Sequence, residues 1–198
     1  MIVYLHGFNS APSSHKARTL AAYMGEQGLG SRFLCPDLPH RPAAAVALLR
    51  AVIAEHDPGS LTLVGSSLGG FYATWAAESY ACRAVLIQPA VYPHLGLESY
   101  LGPQTNLYTG AAYELTRAHL DEWRNLYLDS IDPERYLLLL ETGDEVLDYR
   151  EAVRKYEGAR MVIRQGGDHM MQSFAEHLPR VLSFAGLTLR NAQSKNSR

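Results

Sequence analysis

Short apolar runs alternate along the chain with longer stretches in which apolar residues return every three or four positions, as in a parallel sheet whose strands are joined by crossover helices. The first run, Met1 to Leu5, ends in a loop, His6-Gly-Phe-Asn-Ser-Ala-Pro-Ser13. Ser13 or Ser14 can cap a helix reaching about Gly28, because a hydroxyl there accepts a free N–H of the first turn. A strand is expected from Ser31 to Cys35, stopped by Pro36. From Pro42 to His56, Ala45, Leu48, Leu49 and Val52 fall at i, i+3, i+4 and i+7, which predicts a helix laid on the sheet. Asp57-Pro-Gly-Ser60 breaks it, and Leu61 to Val64 reads as a strand. A helix over Gly70 to about Tyr80 follows, with small Ala73, Ala76 and Ala77 allowing close approach, then a strand over Arg83 to Gln88. Later in the chain, strands are expected at Tyr136 to Glu141 and Arg160 to Arg164, with helices from about Tyr149 to Glu157 and up to about Gly186.

Residues from Tyr92 to about 130 interrupt the alternation. They are rich in Tyr and Trp, broken by Pro93, Pro103 and Gly110, and expected to hold one helix around Ala112 to Leu126. The segment reads as an insertion of about 92–130 over the sheet edge. It is either a small lid whose aromatic faces, Tyr108 and Trp123 among them, bind substrate, or a satellite core beneath a surface loop. The expected organisation is one domain over 1–190 and a flexible tail over 191–198.

With 198 residues, 47% of them apolar and 19% charged, the chain is long enough to bury a full core without disulfide or metal staples. Its formal charge of -2, with scattered Lys and Arg, argues against a nucleic-acid partner. Cys35 and Cys82 stand apart, with no zinc spacing, so no metal and no cofactor are expected. No apolar run is long enough for a membrane span or a secretory leader, and the expected location is cytoplasmic, with no membrane partner.

Chemistry concentrates at Gly65-Ser66-Ser67-Leu68-Gly69, a G-x-S-x-G string between an expected strand and an expected helix. That context predicts a nucleophile elbow with Ser67 at a strained turn and the helix N-terminus directed at a developing oxyanion. Ser66 is the nearest rival, with a supporting hydrogen bond its expected part. His6-Gly7-Phe8 follows the first strand, where Phe8 N–H can pair with Leu68 N–H as an oxyanion hole; otherwise it is a tight turn around a bracing His6. A serine hydroxyl needs a base, and the base an acid to fix its tautomer. Of eight histidines, His169 alone sits late in a glycine-rich loop after a strand. Asp144 follows the glycine after strand Tyr136 to Glu141, with Asp148 its main rival, while Asp168 suits a turn-stabilising hydrogen bond. The chain order Ser67, Asp144, His169 is that of α/β-hydrolases.

Taken together, Tyr4-Leu-His-Gly-Phe-Asn-Ser10, Leu63-Val-Gly-Ser-Ser-Leu-Gly-Gly70, Tyr108-Thr-Gly110, Thr142-Gly-Asp-Glu-Val-Leu-Asp-Tyr-Arg150 and Gly166-Gly-Asp-His169 resemble the small bacterial YqiA-type esterases over nearly the whole chain. The resemblance implies an α/β-hydrolase fold with six parallel strands in the order 2-1-3-4-5-6. It also implies hydrolysis of small-molecule esters or acyl-CoA thioesters and a triad at Ser67, Asp144 and His169. A non-catalytic hydrolase-fold binding protein and an acyltransferase using the same triad are the alternatives.

Overall fold

A computed structural model describes residues 1–187, so the tail expected over 191–198 lies outside the described residues. In chain order the elements are β1 (Ile2–Leu5), α1 (His15–Glu26), β2 (Phe33–Leu34), α2 (Pro42–Ala54), β3 (Thr62–Ser66), α3 (Leu68–Tyr80), β4 (Arg83–Ile87), α4 (Pro93–Gly96), β5 (Gly102–Thr105), β6 (Ala112–Leu115), α5 (Arg117–Leu126), β7 (Tyr136–Glu141), α6 (Tyr149–Lys155), β8 (Arg160–Arg164) and α7 (Phe174–Phe184). The six-stranded sheet runs β2-β1-β3-β4-β7-β8, parallel throughout, in the expected order; β5 and β6 form a separate antiparallel pair.

Period-two alternation sorts each central strand between two cores. Val3, Leu5, Leu63, Ala84, Leu86, Leu138 and Leu140 pack with α2, α3, α5 and α6 on one face. Ile2, Tyr4, Val64, Val85, Ile87, Leu137 and Leu139 pack with α1 and α7 on the other. Strands covered on both faces are apolar almost without break, which is why these runs stand out in the sequence. Among the described residues no helix is long and apolar enough to cross a membrane.

Three local expectations are corrected. The strand expected over Ser31–Cys35 shrinks to Phe33–Leu34, because Gly30–Arg32 closes a 3-10 turn. Ser14 does occupy the N-cap position of α1, yet its hydroxyl makes no capping bond. The helix expected around Ala112 to Leu126 begins only at Arg117, and its first four residues are strand β6. Asn106 Oδ1 accepts the N–H groups of Tyr108 and Thr109 at 2.9 and 3.0 Å, and Gly110 takes φ 72°, so the chain reverses and 112–115 pairs with 102–105. Thr116 and His119 then close a capping box that starts α5.

Candidate active site

The strand-to-helix turn after β3 is as tight as the glycine spacing requires. Ser67 holds φ 53° and ψ −121°, a strained backbone for a residue with a Cβ. Its N–H donates to Ile87 O at 3.0 Å, and its carbonyl accepts from Gly70 and Ala90 at 2.9 and 3.0 Å, which fixes that conformation from both sides. A Cβ on Gly65 would stand 2.7 Å from Gly70 Cα, and one on Gly69 would stand 2.7 Å from His6 O, so neither position admits a side chain. Ser66 remains in β3, buried; only Ser67 occupies the turn.

The loop after β1 lies directly over Ser67: a Cβ on Gly7 would meet Ser67 Cβ at 3.3 Å. Phe8 lines a cavity of about 230 Å³ together with Ser67 and His169, and a smaller one of about 40 Å³ together with Leu68. Among the described residues, neither Phe8 N–H nor Leu68 N–H donates to a protein acceptor. His6 is buried, with Nε2 accepting Leu38 N–H at 3.0 Å and Nδ1 3.2 Å from Gly7 O. Both ring nitrogens of a neutral imidazole are thereby used, and burial holds its pKa below the usual histidine value although Asp37 is near. His6 braces the loop.

Two loops at the carboxyl ends of β7 and β8 meet at the same cavity. His169 Nδ1 stands 3.0 and 2.9 Å from Asp144 Oδ1 and Oδ2. The Asp144 side chain is 2% exposed, and its Oδ1 also accepts the N–H groups of Val146 and Leu147 at 2.9 and 2.8 Å, so the buried carboxylate is fully engaged. Asp148 is turned away to α6, which it caps by accepting Arg150 N–H at 3.0 Å. Asp168 Oδ2 accepts from the Gln172 side chain at 2.9 Å, while its Oδ1 is buried without a hydrogen-bond partner. Ser67 and His169 line one cavity, with no hydrogen bond between their side chains among the described residues.

Several positioning groups escape a reading of the sequence. Glu145 Oε2 accepts His169 N–H at 2.9 Å. Glu141, buried at the end of β7, accepts Asp168 N–H at 2.9 Å and the Ser173 hydroxyl, while Gln88 Nε2 donates to Asp168 O at 3.2 Å. The His169 loop is thus tied down on both sides, and Gly167 is required where Glu141 passes, since a Cβ there would overlap its carboxylate. The one legible signal for Glu141 is a carboxylate ending an otherwise apolar run, Tyr136-Leu-Leu-Leu-Leu-Glu141. Asn9, at φ 50°, bonds Gln104 Oε1 and accepts the Tyr113 hydroxyl, and Asn106 Nδ2 donates to Ser10 O, so the β5–β6 hairpin is fastened to the loop that carries Phe8.

The two expected substrate-binding residues separate. Tyr108 lines the cavity with Ser67 and His169 and is partly exposed. Trp123 does not reach it. It is fully buried in the α2–α3–α5 core, its Nε1 donating to Tyr72 Oη at 2.8 Å, so its large apolar surface serves packing rather than substrate. Burial pushes the thiols of Cys35 and Cys82 up to about 12 and about 11, which leaves neither as a thiolate nucleophile near neutral pH. Among the described residues no group of three or more His, Cys, Asp or Glu side chains is placed to hold a metal ion.

Residues 1–186 match the model of an uncharacterised protein family, UPF0227. A curated relative, UPF0227 protein ECA1814 from Pectobacterium atrosepticum, is 25% identical over 192 residues, covering 94% of this chain and 99% of the relative. Among solved structures, alpha/beta hydrolase domain-containing protein 10 from mouse superposes with TM-score 0.68 at 16% identity, covering 92% of this chain and 87% of that one. The esterase domain of a Rhodothermus marinus protein gives TM-score 0.64 at 17% identity, covering 93% of this chain and 85% of that one. The fold is that of the α/β-hydrolases.

Proposed function

Because the chain belongs to the UPF0227 family, which is the YqiA family its motifs resemble, and because its elbow serine shares a cavity with an Asp-anchored histidine, we propose that it is a serine hydrolase of carboxylic esters or acyl-CoA thioesters. The observation that carries this reading is the strained Ser67 at the head of α3, lining one cavity with an imidazole whose Nδ1 is held by the buried Asp144. An ionised carboxylate only accepts, so the Nδ1 bond assigns the proton to Nδ1 and leaves Nε2 with its lone pair.

In the proposed reaction His169 Nε2 takes the hydroxyl proton as Ser67 Oγ bonds to the carbonyl carbon. The oxyanion forms between Phe8 N–H and Leu68 N–H, each donor being worth about 3 to 4 kcal/mol of barrier. When the tetrahedral species collapses, the bond to the alcohol or thiol breaks and the imidazolium returns its proton to that leaving group. Water then repeats the sequence on the acyl-serine, giving the acid and free Ser67. Asp144 keeps the tautomer and offsets the imidazolium charge. Tyr108 forms part of the wall that meets the acyl or leaving group.

A fluorophosphonate probe should label the wild-type chain at Ser67, and Ser67→Ala should lose both labelling and turnover of p-nitrophenyl esters. A panel of esters and acyl-CoA thioesters of graded length would then rank the substrates. Ordinary turnover by Ser67→Ala would falsify the assignment.

A further inference from the structure

One wall of the Ser67 cavity takes no part in the steps above. Lys16, in the first turn of α1, lines that cavity and is 7% exposed. Its Nζ donates to Met170 O at 2.8 Å, and among the described residues no carboxylate pairs with it, so the ammonium retains unused donors in a site where a charge is expensive. Burial holds its pKa below the ordinary lysine value even though Asp168, Asp144 and Glu141 act the other way. Asp144 is engaged with His169 and Glu141 with Asp168 N–H and Ser173, while Asp168 spends Oδ2 on Gln172 and keeps a buried, unpartnered Oδ1 that offsets the Lys16 charge without pairing with it. Ser14, also on this wall, is 7% exposed, and its Oγ has no hydrogen-bond partner in its buried position. Being the N-cap without a capping bond, it leaves the first N–H groups of α1 uncapped, and no acidic residue stands in that turn to offset them. A buried cation, an orphaned hydroxyl and an uncapped helix start therefore converge on one side of the cavity. Phe8, Leu107, Tyr108 and Met170 supply apolar surface around it.

We propose that this wall is an anion subsite: the ester or thioester attacked by Ser67 carries a carboxylate or phosphate group, held by Lys16 Nζ and Ser14 Oγ at the start of α1. This inference rests on the hydrolase reading and narrows it to acidic substrates. The competing role for Lys16 is that of a positioning residue that only pins Met170 O, next to His169. The two differ in selectivity, because a pin affects all substrates alike.

The test compares kcat/KM for mono-p-nitrophenyl adipate with that for p-nitrophenyl hexanoate, and for butyryl-CoA with that for S-butyryl-N-acetylcysteamine, in the wild type and in Lys16→Met. The anionic member of at least one pair should be preferred by the wild type, and the preference should fall by about tenfold or more in the variant. A fall confined to the adipate pair places the anion on the acyl side; one confined to the CoA pair places it on the leaving group. Ratios that stay constant while all rates drop together would overturn the subsite and leave the pin. Hexanoate turnover by the wild type and its loss in Ser67→Ala report the hydrolase reading separately. Should Lys16→Met not fold, the wild type decides. Free adipate or coenzyme A should raise its melting temperature and inhibit hexanoate hydrolysis competitively where uncharged adipamide does not; absence of both effects overturns the proposal.

Discussion

Asp144 and Asp148 lie four residues apart in one loop, and the division of labour between them follows from what each oxygen accepts. Asp144 reaches His169 Nδ1 with both oxygens and still takes two backbone N–H groups, whereas Asp148 spends its carboxylate on the first turn of α6. An amide at position 144 could present its NH₂ to Nδ1, which moves the ring proton to Nε2 and, in the proposed reaction, removes the base from Ser67. Asp144→Asn should therefore lower kcat by about 10⁴. Asp148→Asn keeps a good N-cap, so its stability should change by less than about 0.5 kcal/mol and its turnover should be unaltered. Steady-state kinetics with urea titrations of both variants check this pair, and a large kcat loss in Asp148→Asn alone would reverse the assignment.

Residues 92–130 work as two pieces with different attachments. The β5–β6 hairpin holds the Phe8 loop through Asn9 and Asn106, while α5 turns its Glu122 to Ala43 N–H and Arg41 at the start of α2 and its Trp123 into the core. Truncating the two aromatic residues should separate these roles. Tyr108→Ala should change relative kcat/KM across an ester chain-length series with stability kept within about 0.5 kcal/mol, since the ring is partly exposed on the cavity wall. Trp123→Ala should cost about 3 to 5 kcal/mol and orphan the Tyr72 hydroxyl, with no selective effect on chain length. Melting curves beside a p-nitrophenyl ester series would show it, and the opposite pairing of effects would refute the division. What could be read from the chain follows the same line. β7 and β8 were legible to the residue because apolar runs bounded by turn signals need no partner to be recognised. Gly102-Pro-Gln-Thr105 has no such alternation; it becomes a strand only by pairing with 112–115 across the turn that Asn106 and Gly110 build. Within the candidate site, Ser67 and His169 stand out by spacing, whereas the burial of Lys16 and Glu141 does not, since a charged residue in a sequence is ordinarily solvated and only the folded loops show these two to be buried.

Among the described residues, burial leaves four histidines, spread over the whole fold, whose protonation it opposes. Burial holds His6, His94, His119 and His177 below the ordinary histidine pKa of 6.5, against the pull of Asp37 on His6, Glu122 on His119 and both Glu176 and Glu141 on His177. The hydrogen bonds agree with the neutral form at two of them, for His6 Nε2 and His119 Nδ1 each accept a backbone N–H. The unfolded chain, with no such burial, binds these protons first. Stability is therefore complete above the unfolded value and falls as pH drops below 6.5, until the folded-state values are passed. Urea unfolding should show a lower midpoint at about pH 5.5 than at about pH 7.5. His6→Gln, whose side-chain carbonyl can still accept Leu38 N–H, should reduce that difference by removing one titrating group. A midpoint that rises on acidification would mean that these rings gain rather than refuse a proton in the fold, and the neutral brace assigned to His6 beneath the Phe8 loop would fall with it.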